Sequence, residues 1–197
     1  MLYKFLKVLV KIIIFPLFRI EVHGKENLPA DGAYIICGNH WSNWDPIMVA
    51  GAIDRTISFM AKKELFEIKI IKGLLKKLYA FPVDRDKTDL KSLRYAVDLI
   101  KQGKILCIFP EGTRVKLAQR KNIKDGAGYI ALRAKANIIP VEIISTYKPF
   151  KKSYIYFKKP LYISDYTSYK KKEAMELLMD DTFKAIYENR LALIDSK

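Results

Sequence analysis

The sequence predicts an α/β fold: a single domain with a mainly parallel or mixed central sheet flanked by helices, plus an N-terminal amphipathic membrane-docking helix. Two features carry the sheet. Residues 33–37 and 105–109 are apolar runs of strand length and 138–144 reads as a further strand, the lack of alternation at 105–109 suggesting a strand covered on both faces. Stretches with helical spacing lie between and after them, and such alternation is the pattern of a sheet with helices on its faces. Length agrees, because 197 residues, half of them hydrophobic, suffice for one domain with a real core and argue against disorder.

The elements follow in order. Residues 1–18 are almost wholly apolar, with Lys4, Lys7 and Lys11 inside a stripe of about 60° on a helical wheel. Lys7 and Lys11 interrupt the run, and about 20 apolar residues are needed to span a bilayer, so this is not a spanning helix. A secretory signal fits poorly, since no small-residue cleavage site follows. The expectation is an in-plane membrane helix with its lysines at anionic headgroups. The alternative is a core helix whose lysines snorkel. Pro16 ends or kinks it. The domain division is therefore an interface helix at 1–19 and the main domain at 20–197.

Residues 62–78 form a second amphipathic element, with Lys62, Lys69, Lys72 and Lys76 on one stripe, apolar residues opposite and Gly73 expected to break it in two. It suits a membrane-facing helix pair or a plain surface helix. A short strand ends at Phe81-Pro82-Val83, and a helix follows with Leu90, Leu93, Val97 and Ile100 on one face, closed by Gly103. A small-residue helix spans 126–136. Residues 153–163 suggest one or two edge strands. A last helix from about Tyr169 carries Met175, Leu178, Met179, Thr182, Ile186 and Leu193 on one side.

Composition bounds the partners. A net charge of +15 and a pI near 9.6 call for something anionic: a membrane surface, a phosphorylated substrate, an acidic protein or nucleic acid. A nucleic-acid module is disfavoured, because the basic residues are spread over several elements and not interleaved with aromatics. Two cysteines and two histidines cannot assemble a zinc-type cluster at ordinary spacings. Cys37 and Cys107 sit in strand-like runs and read as buried free thiols.

Chemistry concentrates where strands end in polar loops. Gly38-Asn39-His40-Trp41-Ser42-Asn43-Trp44-Asp45-Pro46 joins a strand to an apolar helix. If this loop folds back, Asp45 accepts the Nδ1–H of His40 and leaves Nε2 as a proton acceptor. The competing reading makes Asp45 an N-cap ahead of a first-turn proline. Loops that end strands cluster on one edge of such a sheet, so Arg85 and the Glu111-Gly112-Thr113-Arg114 turn join His40 and Asp45. Two guanidiniums around a pocket suit a phosphate, and Glu111 suits a substrate hydroxyl or an arginine. No serine or cysteine has an activating setting, so no covalent intermediate is called for.

Four blocks carry a resemblance: Asn39-His40-x-Ser42-x-x-Asp45, Phe81-Pro82-Val83-Asp84-Arg85, Phe109-Pro110-Glu111-Gly112-Thr113-Arg114 and Ile139-Pro140-Val141. In this order the chain resembles the glycerolipid acyltransferases, and within them the bacterial branch acting on 1-acyl-glycerol-3-phosphate. It departs from the common pattern at Val115, at Ile123 and in the basic stretch 116–121.

The resemblance implies acyl transfer to the sn-2 hydroxyl of lysophosphatidic acid, giving phosphatidic acid. His40 is then the general base oriented by Asp45, and Arg85, Glu111, Gly112, Thr113 and Arg114 bind the glycerol phosphate. The donor is an acyl thioester on acyl carrier protein or coenzyme A. Because that thioester is already activated, neither a metal nor a bound cofactor is expected. The other acceptors weighed are glycerol-3-phosphate, another lysophospholipid or an amino-lipid. The expected location is the cytoplasmic face of the cell membrane, as a monotopic or peripheral protein.

Overall fold

The computed structural model describes residues 2–190. Seven strands form one mixed sheet: β1 (Ile20–His23), β2 (Ile35–Gly38), β3 (Ile57–Lys62), β4 (Ala80–Val83), β5 (Ile105–Ile108), β6 (Ile138–Ile144) and β7 (Ser153–Phe157), in the order β1-β7-β6-β2-β5-β3-β4. Every neighbouring pair is parallel except β6 with β7. The α/β expectation is borne out. The carboxyl ends of β2, β4 and β5 therefore emerge on one edge, which brings the three polar loops together.

Helices cover both faces. On one, α5 (Leu90–Lys101), α6 (Gly126–Ala134) and α7 (Lys171–Ile186) bury Ala96, Val97, Ile130, Leu178 and Met179 against Ile35, Leu106 and Ile138. On the other, α3 (Asp45–Ala52) buries Met48, Val49 and Ala52 against Ile36, Ile105 and Ile139. Adjacent residues of β2 and β5 thus serve opposite cores, which explains their unbroken apolar runs. Cys37 and Cys107 are buried free thiols in different cores. Burial pushes both thiols above their ordinary pKa.

The amino-terminal helix is α1 (Leu2–Leu9), continued through a π-helical stretch, Val10–Ile14, into a last turn, α2 (Phe15–Leu17). Pro16 lies in that turn, and the Phe15 N–H reaches back to the Val10 carbonyl. No helix among the described residues is long and apolar enough to cross a membrane.

The lysine stripe faces differently from the expectation. Lys7 Nζ donates to the carbonyls of Ile53, Asp54 (2.8 Å) and Arg55 (3.2 Å), and Lys11 Nζ pairs with Asp54 Oδ1 at 2.7 Å. The carbonyl end of α3 is electronegative and offers unsatisfied acceptors, so it holds these ammonium groups against the domain. Phe5, Val8, Ile12 and Ile13 are left exposed instead. At Gly51 of α3 a Cβ would come within 2.6 Å of Val10 Cγ1 and 2.7 Å of Phe15 Cε2, so only glycine admits this approach.

Other expectations shift as well. Residues 57–62 form β3, a strand missing from the pattern reading. Lys62 is its last residue, and the helix that follows after a short 3₁₀ turn is α4 (Lys69–Lys77), which runs unbroken through Gly73. Gly73 faces open space, so nothing forces a break. No residue of α4 is buried, and Ile70 is 86 % exposed. β7 is internal, between β6 and β1, with Ser153, Ile155 and Phe157 buried. Residue 161 contributes only a bridge, to Ile138. Leu193 lies outside the described residues.

Candidate active site

β2 delivers the first loop. Asn39 continues the strand with its side chain: Nδ2 donates to the Ile143 carbonyl (3.0 Å) and Oδ1 accepts the Ile143 N–H (2.7 Å). The chain then curls so that Asp45, the first residue of α3, returns to His40. His40 Nδ1 lies 3.1 Å from Asp45 Oδ2. The Asp45 carboxylate is fully buried. Its Oδ2 also accepts the Trp41 and Ser42 N–H groups, each at 2.7 Å, and its Oδ1 accepts the Tyr147 hydroxyl at 2.7 Å.

Asp45 is therefore not an N-cap. Trp44 occupies that position without a side-chain cap bond, and the carboxylate faces backward into the loop rather than forward onto α3. These contacts also commit several amides. Those of Trp41 and Ser42 end on Asp45, that of Trp44 on Ser42 Oγ, and that of Asp45 on the Ser42 carbonyl.

β5 delivers the second loop. The Gly112 N–H donates to the Phe109 carbonyl (2.9 Å), closing a tight turn in which Gly112 takes φ +69. That conformation favours glycine, which explains Gly112 without any substrate contact. Phe109 stacks on the His40 ring, centroids 4.5 Å apart. Glu111, 3 % exposed, accepts the His40 N–H on Oε1 (3.3 Å) and the Tyr187 hydroxyl on the same oxygen. The Val115 N–H closes on the His40 carbonyl at 2.9 Å. The His40 backbone is thus held on both sides by this one turn. Glu111 pairs with no arginine among the described residues, and its Oε2 has no partner there. Burial raises the Glu111 carboxyl above its ordinary pKa, against the opposing effect of the Tyr187 hydrogen bond.

A cleft of about 620 Å³ opens beside these loops. Its walls include Met60, Leu90, Leu93, Phe109, Tyr129 and Met175, with Arg85, Lys87 and Lys124 among its basic residues. Phe109 joins the cleft to the His40 ring. Arg85 is half-buried, and desolvation pulls its guanidinium below the ordinary value. Thr113 and Arg114 are exposed in the turn beyond Glu111, outside the cleft lining. Neither arginine has a carboxylate partner among the described residues.

Three residues at the site escaped sequence reasoning. Tyr147 bonds Asp45, Tyr187 bonds Glu111, and the Arg190 guanidinium lies 3.7 Å over the Trp41 ring while contacting the Ile143 carbonyl (2.7 Å). No local pattern in the sequence singles any of them out. Among the described residues no group of His, Cys, Asp and Glu is arranged to hold a metal.

A buried aspartate beside a histidine whose second nitrogen has no partner among the described residues, next to a basic-lipped apolar cleft, is an arrangement chemically able to take a proton from a substrate hydroxyl. The acyltransferase family model matches residues 19–144, and the chain belongs to that family. It is 40 % identical over 141 residues to the 1-acyl-sn-glycerol-3-phosphate acyltransferase of Bacillus subtilis, covering 71 % of this chain and 69 % of that one. The protein of the same name from Streptococcus pneumoniae is 32 % identical over 145 residues, covering 72 % of this chain and 53 % of that one. The crystal structure of the 1-acyl-sn-glycerophosphate (LPA) acyltransferase PlsC from Thermotoga maritima superposes with a TM-score of 0.73 at 23 % identity, over 95 % of this chain and 79 % of that one. That likeness carries the fold. The chain is an O-acyltransferase.

The raised Glu111 pKa has a thermodynamic consequence. The native state binds this proton more tightly than the unfolded chain, so the cost of burying the charge is fully present above the raised pKa and disappears as pH falls through it. Glutamine keeps an acceptor for Tyr187 and His40 but carries no charge. Glu111→Gln should therefore melt above wild type at neutral pH. In differential scanning calorimetry the gap should close toward the ordinary carboxyl value of 4.5. A pH-independent difference would show that the carboxylate charge is not its source.

Proposed function

We propose that the protein transfers an acyl group from a thioester to the sn-2 hydroxyl of 1-acyl-glycerol-3-phosphate, forming phosphatidic acid. The observation that carries the reading is the 3.1 Å contact from His40 Nδ1 to a wholly buried Asp45. With Nδ1 carrying its hydrogen toward Asp45, Nε2 is the basic nitrogen. It takes the hydroxyl proton as the oxygen attacks the thioester carbonyl. The tetrahedral intermediate collapses, the C–S bond breaks, and the imidazolium returns the proton to the departing thiolate. Asp45 stabilises the imidazolium between these steps. Acyl carrier protein and coenzyme A both supply a donor of this chemistry.

Arg85, Lys124 and Arg114 supply positive charge for the acceptor's phosphate, and the apolar walls of the cleft suit an acyl chain. Glu111 works from behind, fixing the His40 backbone through its N–H. The bilayer is met by the exposed apolar face of α1 and its continuation, Phe5, Val8, Ile12 and Ile13. Tyr79, just beyond the uncovered α4, stacks edge-on against the buried Tyr3 of α1 at 5.4 Å, so α4 ends beside α1. Anionic lipid attracts the net charge of +15.

An assay of purified enzyme with lysophosphatidic acid and both donors in vesicles tests the reading. His40→Ala should lower kcat by at least ~10²-fold, the usual scale for a positioned base. Turnover near wild type would remove His40 from the mechanism. Arg114→Ala should chiefly raise KM for the phosphorylated acceptor, and a loss confined to kcat would contradict a phosphate-binding role. Phe5→Asp/Ile12→Asp should abolish flotation with anionic vesicles while leaving the melting temperature unchanged. Undiminished flotation would assign membrane contact to another surface.

A further inference from the structure

The relay that begins at His40 does not stop at Asp45. Oδ2 is shared by three donors, from His40, Trp41 and Ser42. Among the described residues Oδ1 receives one, the Tyr147 hydroxyl at 2.7 Å. We propose that Tyr147 is a positioning residue of the acyl-transfer site, pinning the Asp45 carboxylate through Oδ1 so that Oδ2 stays aimed at His40 Nδ1. The inference rests on the catalytic reading of His40 and Asp45.

Three independent observations support it. First, Tyr147 sits at φ +54, a left-handed conformation that a bulky aromatic residue rarely takes. Strain of this kind persists only where the surroundings enforce it, and it clusters at functional sites. Here the Tyr147 N–H donates to Ser145 Oγ at 2.8 Å, and Ser145 Oγ bonds Ser153 Oγ at 2.7 Å, so both strands β6 and β7 hold the loop. Secondly, the same loop is clamped at its far end, where the Phe150 N–H donates to the Leu17 carbonyl at 2.6 Å. The tyrosine therefore reaches Asp45 from a braced platform rather than a free loop. Thirdly, the hydroxyl is a permanent donor. Burial raises its pKa first, and the neighbouring Asp45 charge raises it further, so it stays protonated wherever the enzyme works.

A carboxylate carries two equivalent oxygens and rotates about its Cβ–Cγ bond unless both are engaged. The amides hold Oδ2 in the loop, and Tyr147 removes the remaining freedom. Its donation also draws charge away from Oδ2 and so moderates the basicity that Asp45 passes to the imidazole. The other charged and titratable groups around the relay are Glu111 at the His40 backbone, Tyr187 bound to Glu111, and Arg190, which lies over Trp41 and pairs with Glu142. Burial keeps the Cys107 thiol protonated, and the charge of Asp45 raises its pKa further.

Tyr147→Phe removes the hydroxyl and keeps the ring, so packing survives. Its melting temperature should fall by a few degrees, because a buried carboxylate oxygen loses its donor while the fold stays intact. In the acyl-transfer assay kcat should fall about ten-fold, the scale of one hydrogen bond to a charged group. KM for the acceptor should be unchanged. The acid limb of the kcat/KM profile should move to higher pH, because a carboxylate relieved of one donor stabilises the imidazolium more strongly. In an Asp45→Asn background the same substitution should add little.

A Tyr147→Phe profile superimposable on wild type would overturn the proposal, as would an equal loss in both backgrounds. Failure of the underlying catalytic reading looks different: His40→Ala would then retain full turnover in the same assay, whatever Tyr147→Phe does.

Discussion

A carboxylate with no access to solvent organises the whole site. Moving a bare ion of this kind out of water costs on the order of tens of kcal/mol, so Asp45 is tolerable in the interior only with hydrogen bonds on both oxygens. Those bonds dictate the geometry around it. The loop must curl for the Trp41 and Ser42 amides to reach Oδ2, and the curl brings His40 back to the same oxygen. The strand ladder ends at Gly38, and the Asn39 side chain extends its pairing with β6 by one more step. Satisfying one buried charge therefore selects the imidazole's position and leaves its second nitrogen for chemistry.

The amino-terminal helix and the catalytic helix form a connected unit. Lys7 binds the carbonyl end of α3 while Asp45 begins its other end, and Phe18 lies 5.2 Å from Trp44. Val10 and Phe15 close over Gly51. The segment with the most exposed apolar surface is thus fastened along the length of the helix that carries the relay's carboxylate. On the proposed reading the acceptor resides in a bilayer, and such fastening holds the base at a fixed height above that surface. Lys7 and Lys11 anchor this helix inward, which leaves its apolar side exposed.

Much of the architecture was legible because its causes are local. Apolar runs marked β2, β5 and β6 as strands, β5 as one covered on both faces, and the parallel arrangement then placed the loops of His40, Arg85 and Glu111 on one edge. β3 was missed because Ser58 and Lys62 interrupt its apolar run, and its burial is earned from β4 and β5 rather than from its own pattern. Gly73 looked like a break because glycine lowers helix propensity by about 1 kcal/mol relative to alanine. A helix already fixed at both ends absorbs that cost. From sequence β7 reads as an edge strand, yet β1 pairs with its outer side, and Tyr154 and Tyr156 are half-buried.

By itself the amino-acid order determined the α/β class, the four motif blocks and the pairing of a candidate base with its carboxylate, since each depends on residues within one strand or one loop. Tertiary structure alone decided which side chains support them. Tyr147 lies 102 residues from Asp45, and Tyr187 lies 76 residues from Glu111. No helical or strand period relates positions so far apart. Their meeting depends on how β6, β7 and α7 close over the sheet, and that closure is set by packing of the whole core.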